Sequence, residues 1–129
     1  MQMIKMNYFD KESNRMISWN ELCSNEDFEI RAYEDGLFLF DMSRKDECGY
    51  EYEMNGVFHL CSGKKDMHNQ EIYDGHVMNV KGYSVPFVAT FQDGSFMLEA
   101  KDNILSMALN LYQSNEIEIV GDMYQFFDE

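Results

Sequence analysis

The sequence predicts a mainly β protein, of the β-rich α+β class, with one short helix. Three turn signals lie between apolar, β-prone stretches: Asp35-Gly36, Asn55-Gly56 and Asp93-Gly94. Because Asn, Asp and Gly tolerate the positive φ of tight hairpins, each pair predicts a hairpin. Hydrophobic residues make up 45% of the chain and aromatic residues 15%, which is enough to build a core.

The predicted strands follow one another along the chain. Residues 3–9 and 15–19 pair across a polar turn, and 28–33 pairs with 37–40. Further strands cover 57–61, 76–80, 85–91, 95–100 and 117–120. Pro86 suits an edge or the start of a strand. A weaker helical signal covers residues 19–25.

One segment has helical periodicity instead. Between Asp102 and Gln113, apolar residues recur at spacings of three and four, and Asp102 is a good N-cap. The sequence therefore predicts one short helix near 102–113.

The length of the chain limits the number of domains, and its cysteine content indicates the cellular compartment. The 129 residues predict a single domain, 1–129, with sub-units 1–61 and 62–129. No apolar run approaches the roughly 20 residues that span a bilayer. Three cysteines without a CxxC pair indicate reduced thiols, so we expect a cytoplasmic protein.

Charge is the strongest functional signal. The formal net charge is −14, and residues 21–53 hold eleven acids and three bases, a net −8. Such a surface repels nucleic acid and anionic membranes and attracts basic surfaces. We therefore expect a basic protein partner, with no direct nucleic-acid or membrane partner.

Two short segments, residues 62–66 (Ser-Gly-Lys-Lys-Asp) and 71–77 (Glu-Ile-Tyr-Asp-Gly-His-Val), follow one another closely. They are similar to the "TG-x-KD…KEIYEGD-V" segment of the YopX family of phage and prophage proteins. Parts of 4–16 resemble its opening, 88–96 its "V-x-(W/F)-x-DG-x-F" hairpin and 117–124 its closing "LEVIGNIYENPEL". The chain departs from the family at His76, at Asn69-Gln70 and at the missing closing proline.

The resemblance implies a phage origin and a fold, and it supplies no catalytic residues. It implies a β-rich protein with a small barrel-like antiparallel C-terminal half and a tendency to self-associate. It also implies that the protein works in the cytoplasm of a bacterial host. From the residues themselves, Ile72 and Tyr73 should anchor a loop, Gly75 should take a positive φ, and Gly121 should mark a bulge or close approach.

Catalytic and metal-binding patterns are weak. His59 and Cys61 share a strand face and could join Cys48, His68 or His76 around zinc, but no metal-ligand spacing is present. No nucleophile motif or phosphate-binding loop occurs. We therefore expect no enzyme, no metal site and no cofactor, and a metal-dependent hydrolase is kept as a minor alternative.

The acidic block is the predicted partner-binding site. Its carboxylates alternate with aromatic residues, so in a strand the carboxylates should lie on one face and the rings on the other. Such an array could imitate a phosphate backbone in a basic groove. The predicted partner-binding residues are Glu26, Asp27, Glu29, Glu34, Asp35, Asp46, Glu47, Glu51 and Glu53.

Besides the metal-dependent hydrolase, three interpretations of function remain. The first is a phage-encoded acidic inhibitor of a host nucleic-acid-handling enzyme, such as an anti-CRISPR or other counter-defence protein that acts by nucleic-acid mimicry. The alternative is a self-assembling, non-enzymatic accessory protein of structural or scaffolding role, in which Met123, Phe126 and Phe127 form an apolar anchor. The plain interpretation is that the acids only keep the surface soluble.

Overall fold

The computed structural model describes residues 4–100 and 105–126. It is mostly β-strand with two short α-helices, which confirms the predicted fold class. By its internal contacts the chain divides into two compact units. We call Lys5–His59 the N-terminal unit, and Leu60–Glu129 with Met1–Ile4 the C-terminal unit.

The N-terminal unit opens with a hairpin and a helix. Strand β1 (Met6–Asp10) pairs antiparallel with β2 (Arg15–Ile17), so that Tyr8 lies opposite Ile17. Helix α1 (Trp19–Ser24) begins after Ser18, whose side chain accepts a hydrogen bond from the Glu21 N–H. This N-cap satisfies a backbone donor that the helix leaves free, and it confirms the weaker helical signal.

A three-stranded sheet follows in the same unit, in the order β3-β4-β5. Its strands are β3 (Phe28–Tyr33), β4 (Gly36–Lys45) and β5 (Glu51–Glu53). Tyr33 lies opposite Gly36, so the loop is Glu34–Asp35, and Gly36 takes a φ of 138°, which favours glycine. The first predicted hairpin is therefore confirmed, with its turn one residue earlier than the Asp-Gly pair.

The hairpin predicted at Asn55-Gly56 is wrong. Strand β6 (Gly56–Lys65) does not pair with β5 but lies next to β1 in another sheet. Gly56 has no positive φ; a Cβ there would lie 2.5 Å from the Tyr8 ring and closer still to the Phe9 carbonyl oxygen. The glycine is required by a close approach between strands, because no larger residue fits.

The core of the N-terminal unit lies beneath these strands. Tyr8, Ile17, Leu22, Leu39 and Met54 are buried together. The hydroxyl of Tyr8 donates to the Met54 carbonyl at 3.1 Å, so the buried polar atom is satisfied. Burial, followed by nearby acids, raises the pKa of Tyr8 to about 12.

The C-terminal unit is built on a curled half-barrel sheet in the order β11-β10-β9-β8-β12. β6 ends here and pairs with β7 (Glu71–Tyr73). The other elements are β8 (His76–Val80), β9 (Phe87–Gln92), β10 (Ser95–Ala100), β11 (Ser106–Ala108), β12 (Ile117–Asp122) and α2 (Met123–Phe126). Alternate residues of these strands fill the core, with Ile72, Met78, Phe87, Leu98 and Ile117 fully buried.

The helix predicted near 102–113 is wrong over its described part. Residues 106–108 form β11, which pairs with β10, and only Leu109–Leu111 makes a single 3-10 turn. Residues 102–104 lie outside the described residues. The ladder to β10 and the burial of Leu109 outweigh local periodicity, because tertiary pairing overrides propensity.

Two glycine predictions and one hairpin are confirmed. Asp93 and Gly94 both take positive φ between the paired residues Gln92 and Ser95. Gly75 takes a φ of 91° before β8. The register of β12 shifts beside Gly121, where a Cβ would meet the Phe126 ring at 2.6 Å, so this glycine serves both a bulge and a close approach.

Within the described ranges, no helix has the length and apolar character needed to cross a bilayer.

Candidate functional site

All nine predicted partner-binding acids lie in the N-terminal unit and are exposed. They sit on or beside the three-stranded sheet β3-β4-β5, which we call the acidic sheet. Glu29 is on β3, and Glu51 and Glu53 are on β5. The others are in the connections that flank these strands: Glu26, Asp27, Glu34, Asp35, Asp46 and Glu47.

The connections place acids at both ends of the acidic sheet. Glu34 and Asp35 form the tip of the β3–β4 hairpin. Asp27 pairs through its backbone with Met42, at the opposite end, where Asp46 and Glu47 form the β4–β5 turn. At about 3.3 Å per residue, the seven steps from Asp27 to Glu34 span about 23 Å.

The predicted separation of carboxylates from rings is wrong. Glu29 lies opposite Phe40, which lies opposite Glu53, and residues opposite one another share a face. Phe38 and Tyr33 share this face too, with ring centroids 5.6 Å apart. Of the rings in the acidic block, Phe28 and Tyr52 pack against the core of the unit. The two strands face the core with Leu39, which is fully buried, and with Ile30 opposite it, which is partly buried. Phe38 and Phe40, the neighbours of Leu39, therefore lie on the other face.

Arg31 neutralises the middle of this exposed face. Its Nη1 and Nη2 donate to the two carboxylate oxygens of Glu51, both at 2.8 Å, and its Nε donates to Glu29. The guanidinium also lies 4.1 Å from the centroid of the Phe40 ring. The bonds to Glu51 and then to Glu29 raise the pKa of Arg31, and the bonds from Arg31 to Glu51 lower the pKa of Glu51.

The other seven predicted acids form no ion pair within 4–100 and 105–126. Asp46 has a local structural role, because its Oδ1 accepts from the N–H groups of Cys48 and Tyr50, both at 2.9 Å. The nearby Arg44 stacks on Tyr52 with 3.8 Å to the ring centroid. Uncompensated carboxylates therefore lie mainly at the two ends of the acidic sheet.

A small open cleft of about 220 Å³ lies in the same unit. Its lining includes Tyr8, Leu37, Phe38, Glu53 and Gly56. Pockets that enclose small molecules are typically of roughly 300–1,000 Å³. The cleft is too small and too open to favour a small-molecule ligand over a protein surface.

The histidines and cysteines considered for zinc do not converge. His68 pairs with Glu118 at 3.1 Å, and the Nδ1 of His76 accepts the Tyr73 N–H at 2.9 Å. His59 is buried, and Cys48 is exposed in the β4–β5 turn. Among the described residues, no three His, Cys, Asp or Glu side chains are grouped so as to hold a metal ion.

Sequence reasoning assigned no role to Asp66, which is 2% exposed. Its Oδ1 accepts from the N–H groups of His68 and Gln70, and its Oδ2 accepts from the Ile119 N–H at 2.9 Å. Burial raises the pKa of Asp66, but these three bonds outweigh burial and lower the pKa overall. Its place at the end of the 62–66 motif was the available signal, and the role is structural.

The comparisons with known proteins agree with this fold. The model of the family described as YopX protein matches residues 7–126. The chain therefore belongs to the YopX family, and the resemblance seen in its sequence motifs is confirmed. No curated protein is similar enough in sequence to count as a relative.

Two crystal structures are similar to the chain throughout. The protein yopX from Bacillus subtilis has a TM-score of 0.60 and 19% identity, with 94% of this chain and 93% of that chain covered. Protein EF1440 from Enterococcus faecalis has a TM-score of 0.56 and 17% identity, with 99% and 98% covered. At these identities the likeness shows a shared fold.

Three of the four family segments, 62–77, 88–96 and 117–124, lie in the C-terminal unit and occupy structural positions, whereas most of the opening segment lies in the N-terminal unit. The 71–77 segment forms β7, a turn and the start of β8, and its Ile72 and Tyr73 are buried as expected. Two departures keep the local geometry. Asn69 takes a φ of 66°, which Asn tolerates, and His76 supplies an acceptor for a backbone N–H as an Asp could. These motifs preserve architecture.

Proposed function

We propose that the acidic sheet binds a basic partner protein and thereby inhibits a host nucleic-acid-handling enzyme. The observation that carries the proposal is the exposure of all nine predicted acids in one unit, with seven of them in no ion pair within the described residues. A groove that binds nucleic acid presents Arg and Lys, and carboxylates placed there would compete with phosphates.

The neighbouring rings support a protein partner. Tyr33 is exposed and Phe38 is half-buried on the same face as Glu29 and Glu53. Charge complementarity steers association and suppresses wrong partners, whereas aromatic side chains commonly supply binding energy. A surface that holds both can be guided to a basic groove and then packed against it.

The test separates this surface from bulk charge by comparing two variants of equal net charge. One neutralises four acids of the acidic sheet: Glu26→Gln, Asp27→Asn, Glu34→Gln and Asp35→Asn. The other adds four lysines at exposed positions of the C-terminal unit: Asn79→Lys, Ser84→Lys, Asn110→Lys and Asn115→Lys. Each changes the net charge from −14 to −10.

Both variants and the natural chain are used to capture proteins from a bacterial lysate at low salt, and bound proteins are then eluted with rising salt. We expect the natural chain and the lysine variant to retain the same basic nucleic-acid enzyme. The neutralised variant should lose it, and elution should follow rising salt because exposed charges are screened within about 10 Å at 0.1 M. The recovered enzyme should lose activity when the natural chain is added. Equal capture by both variants, or no loss of enzyme activity, contradicts the proposal.

A second candidate is a self-assembling, non-enzymatic accessory protein. It is favoured by helix α2, where the apolar side chains of Met123 and Phe126 are 36% and 46% exposed. Phe127, the third residue of the predicted anchor, lies outside the described residues. Light scattering at micromolar concentration tests this candidate. Replacing Met123 and Phe126 by Ser should dissociate an oligomer, whereas replacing the exposed Leu111 by Ser should not. A natural chain that is strictly monomeric contradicts the candidate.

A further inference from the structure

The outer edge of β3 carries backbone groups with no partner strand. Among the described residues, β3 pairs only with β4, and the Met42 N–H donates to the Asp27 carbonyl at 2.7 Å. In an antiparallel ladder such bonded residues alternate, so 27, 29, 31 and 33 bond to β4. The N–H and C=O groups of Ile30 and Ala32 therefore point away from the sheet, and within the described ranges neither residue forms a backbone hydrogen bond with a loop, turn or cap.

This edge differs from the other strands that end a sheet. β2, β5, β7 and β11 have three residues each. β12 has six, but a loop covers it: the Met67 N–H bonds to the Ile117 carbonyl, and Asp66 accepts from the Ile119 N–H. β3 has six residues, a regular register, no proline or lysine and, in the described part of the chain, no covering loop, so this edge is protected by charge, from Glu29 and Arg31 on the strand and from the acids that flank it.

Charge decides what can pair with this edge. Glu26 and Asp27 precede β3, and Glu34 and Asp35 follow it, all exposed. A second copy pairing antiparallel about Arg31 would place Asp27 opposite Asp35 and Arg31 opposite Arg31, with Glu26 and Glu34 beside these pairs. Like charges directly opposite destabilise a sheet. A strand with cations at both ends meets opposite charge instead.

We propose that β3 accepts an extended segment of the partner as an added strand, with Lys or Arg at each end of that segment. The main-chain bonds to Ile30 and Ala32 give affinity, as in other proteins that bind a strand at a sheet edge. The acids at the two ends of β3, about 23 Å apart, favour a peptide segment whose Lys or Arg residues have the same spacing. This inference rests on the proposed function, because it names the element that holds the basic partner.

The probe is a synthetic peptide with a pair of lysines at each end of an alternating threonine–valine stretch as long as β3. The protein variant is Ala32→Pro, which removes an outward N–H while the bonds to β4 stay. Ala32→Val is the matched control, because it keeps the N–H. Fluorescence anisotropy should show binding by the natural chain and the valine variant. The proline variant should bind the peptide at least about tenfold more weakly. The lost hydrogen bond also leaves its partner group on the peptide unpaired.

Hydrogen exchange tests the inference on the natural chain, so this test does not depend on the folding of a variant. Hydrogen exchange of the Ile30 and Ala32 amides should slow when the peptide is added, and the Leu39 amide serves as an internal reference. Unchanged exchange at Ile30 and Ala32, or equal peptide binding by a folded Ala32→Pro protein, overturns the inference. So does a dimer of the natural chain that this substitution dissociates, because the occupant would then be a second copy.

The two proposals fail in different ways. If lysate capture depends on the four neutralised acids but survives Ala32→Pro, the acidic surface binds by side chains and the strand-addition inference is wrong. If the neutralised acids do not affect capture, the proposed function itself is wrong.

Discussion

Arg31 and Glu51 join the two outer strands of the acidic sheet, β3 and β5, which do not pair with each other. Two hydrogen bonds of 2.8 Å connect them across β4, over the ring of Phe40. Together with the bond from Arg31 to Glu29, this contact holds one cation against two of the acids. The exposed face therefore has a local order that side chains on a surface usually lack.

Replacing Arg31 by Gln should raise the pKa of Glu51 toward its usual value of 4.5, because its largest lowering cause is lost. NMR titration of the Glu51 carboxyl carbon measures this. Arg44→Gln is the control, since it removes the same charge from a side chain that stacks on Tyr52. Stability should change little, because the pair is exposed. An unchanged Glu51 titration in the Arg31 variant would contradict the ion pair.

Replacing Asp66 by Asn should destabilise the C-terminal unit by about 2–3 kcal/mol, since an amide N–H₂ would face a backbone N–H in place of a charged acceptor. Urea unfolding followed by circular dichroism measures the loss. Asp35→Asn, at the exposed hairpin tip, should leave the unfolding midpoint unchanged. Equal stability of the two variants would mean that the buried bonds of Asp66 do not hold the fold.

The contribution of Asp66 should depend on pH in a defined direction. Its pKa is lower in the folded chain than the usual 3.8, so the unfolded chain binds the proton more tightly. The stabilisation is therefore present above about pH 3.8 and is lost as the pH falls through the lower folded value. The stability gap between the natural chain and Asp66→Asn should be wide at pH 7 and narrower near pH 3. A gap that widens on acidification would reverse the assignment.

Replacing Gly56 by Ala should destabilise the N-terminal unit by about 3 kcal/mol, because the methyl group would overlap Tyr8 and the Phe9 backbone. Thermal unfolding compares it with Gly49→Ala. Gly49 has a φ of 85° and no atom within 4 Å of an added Cβ, so its cost should be conformational strain alone, about 1 kcal/mol. If Gly49→Ala is the more damaging variant, the close approach at Gly56 is not limiting.

Local signals in the sequence were enough for most elements of the fold. The hairpins at Glu34–Asp35 and Asp93-Gly94 and helix α1 depend on turn and cap chemistry within a few residues. Asn55-Gly56 carried the same turn signal but serves a contact with Tyr8, almost fifty residues away in sequence. The helix prediction for residues 106–111 failed for a similar reason, because pairing of 106–108 with β10 decides the local conformation.

The candidate site was predictable in composition but not in arrangement. The run of acids identified exposed residues, because carboxylates are rarely buried without a partner. Which rings share their face depended on the register of β3 with β4, and a slip of one residue reverses that outcome. The bond from Arg31 to Glu51 depended on the path of β5, which no local pattern encodes.

The loop that covers β12 has a consequence for the behaviour of the protein at high concentration. With the Ile117 carbonyl and the Ile119 N–H already bonded, and β11 only three residues long, the curled sheet offers little template at either end for stacking into a fibre. The folded C-terminal unit should therefore not add strands of other copies at these two edges. Loss of the Asp66 bonds would open a route toward cross-β growth.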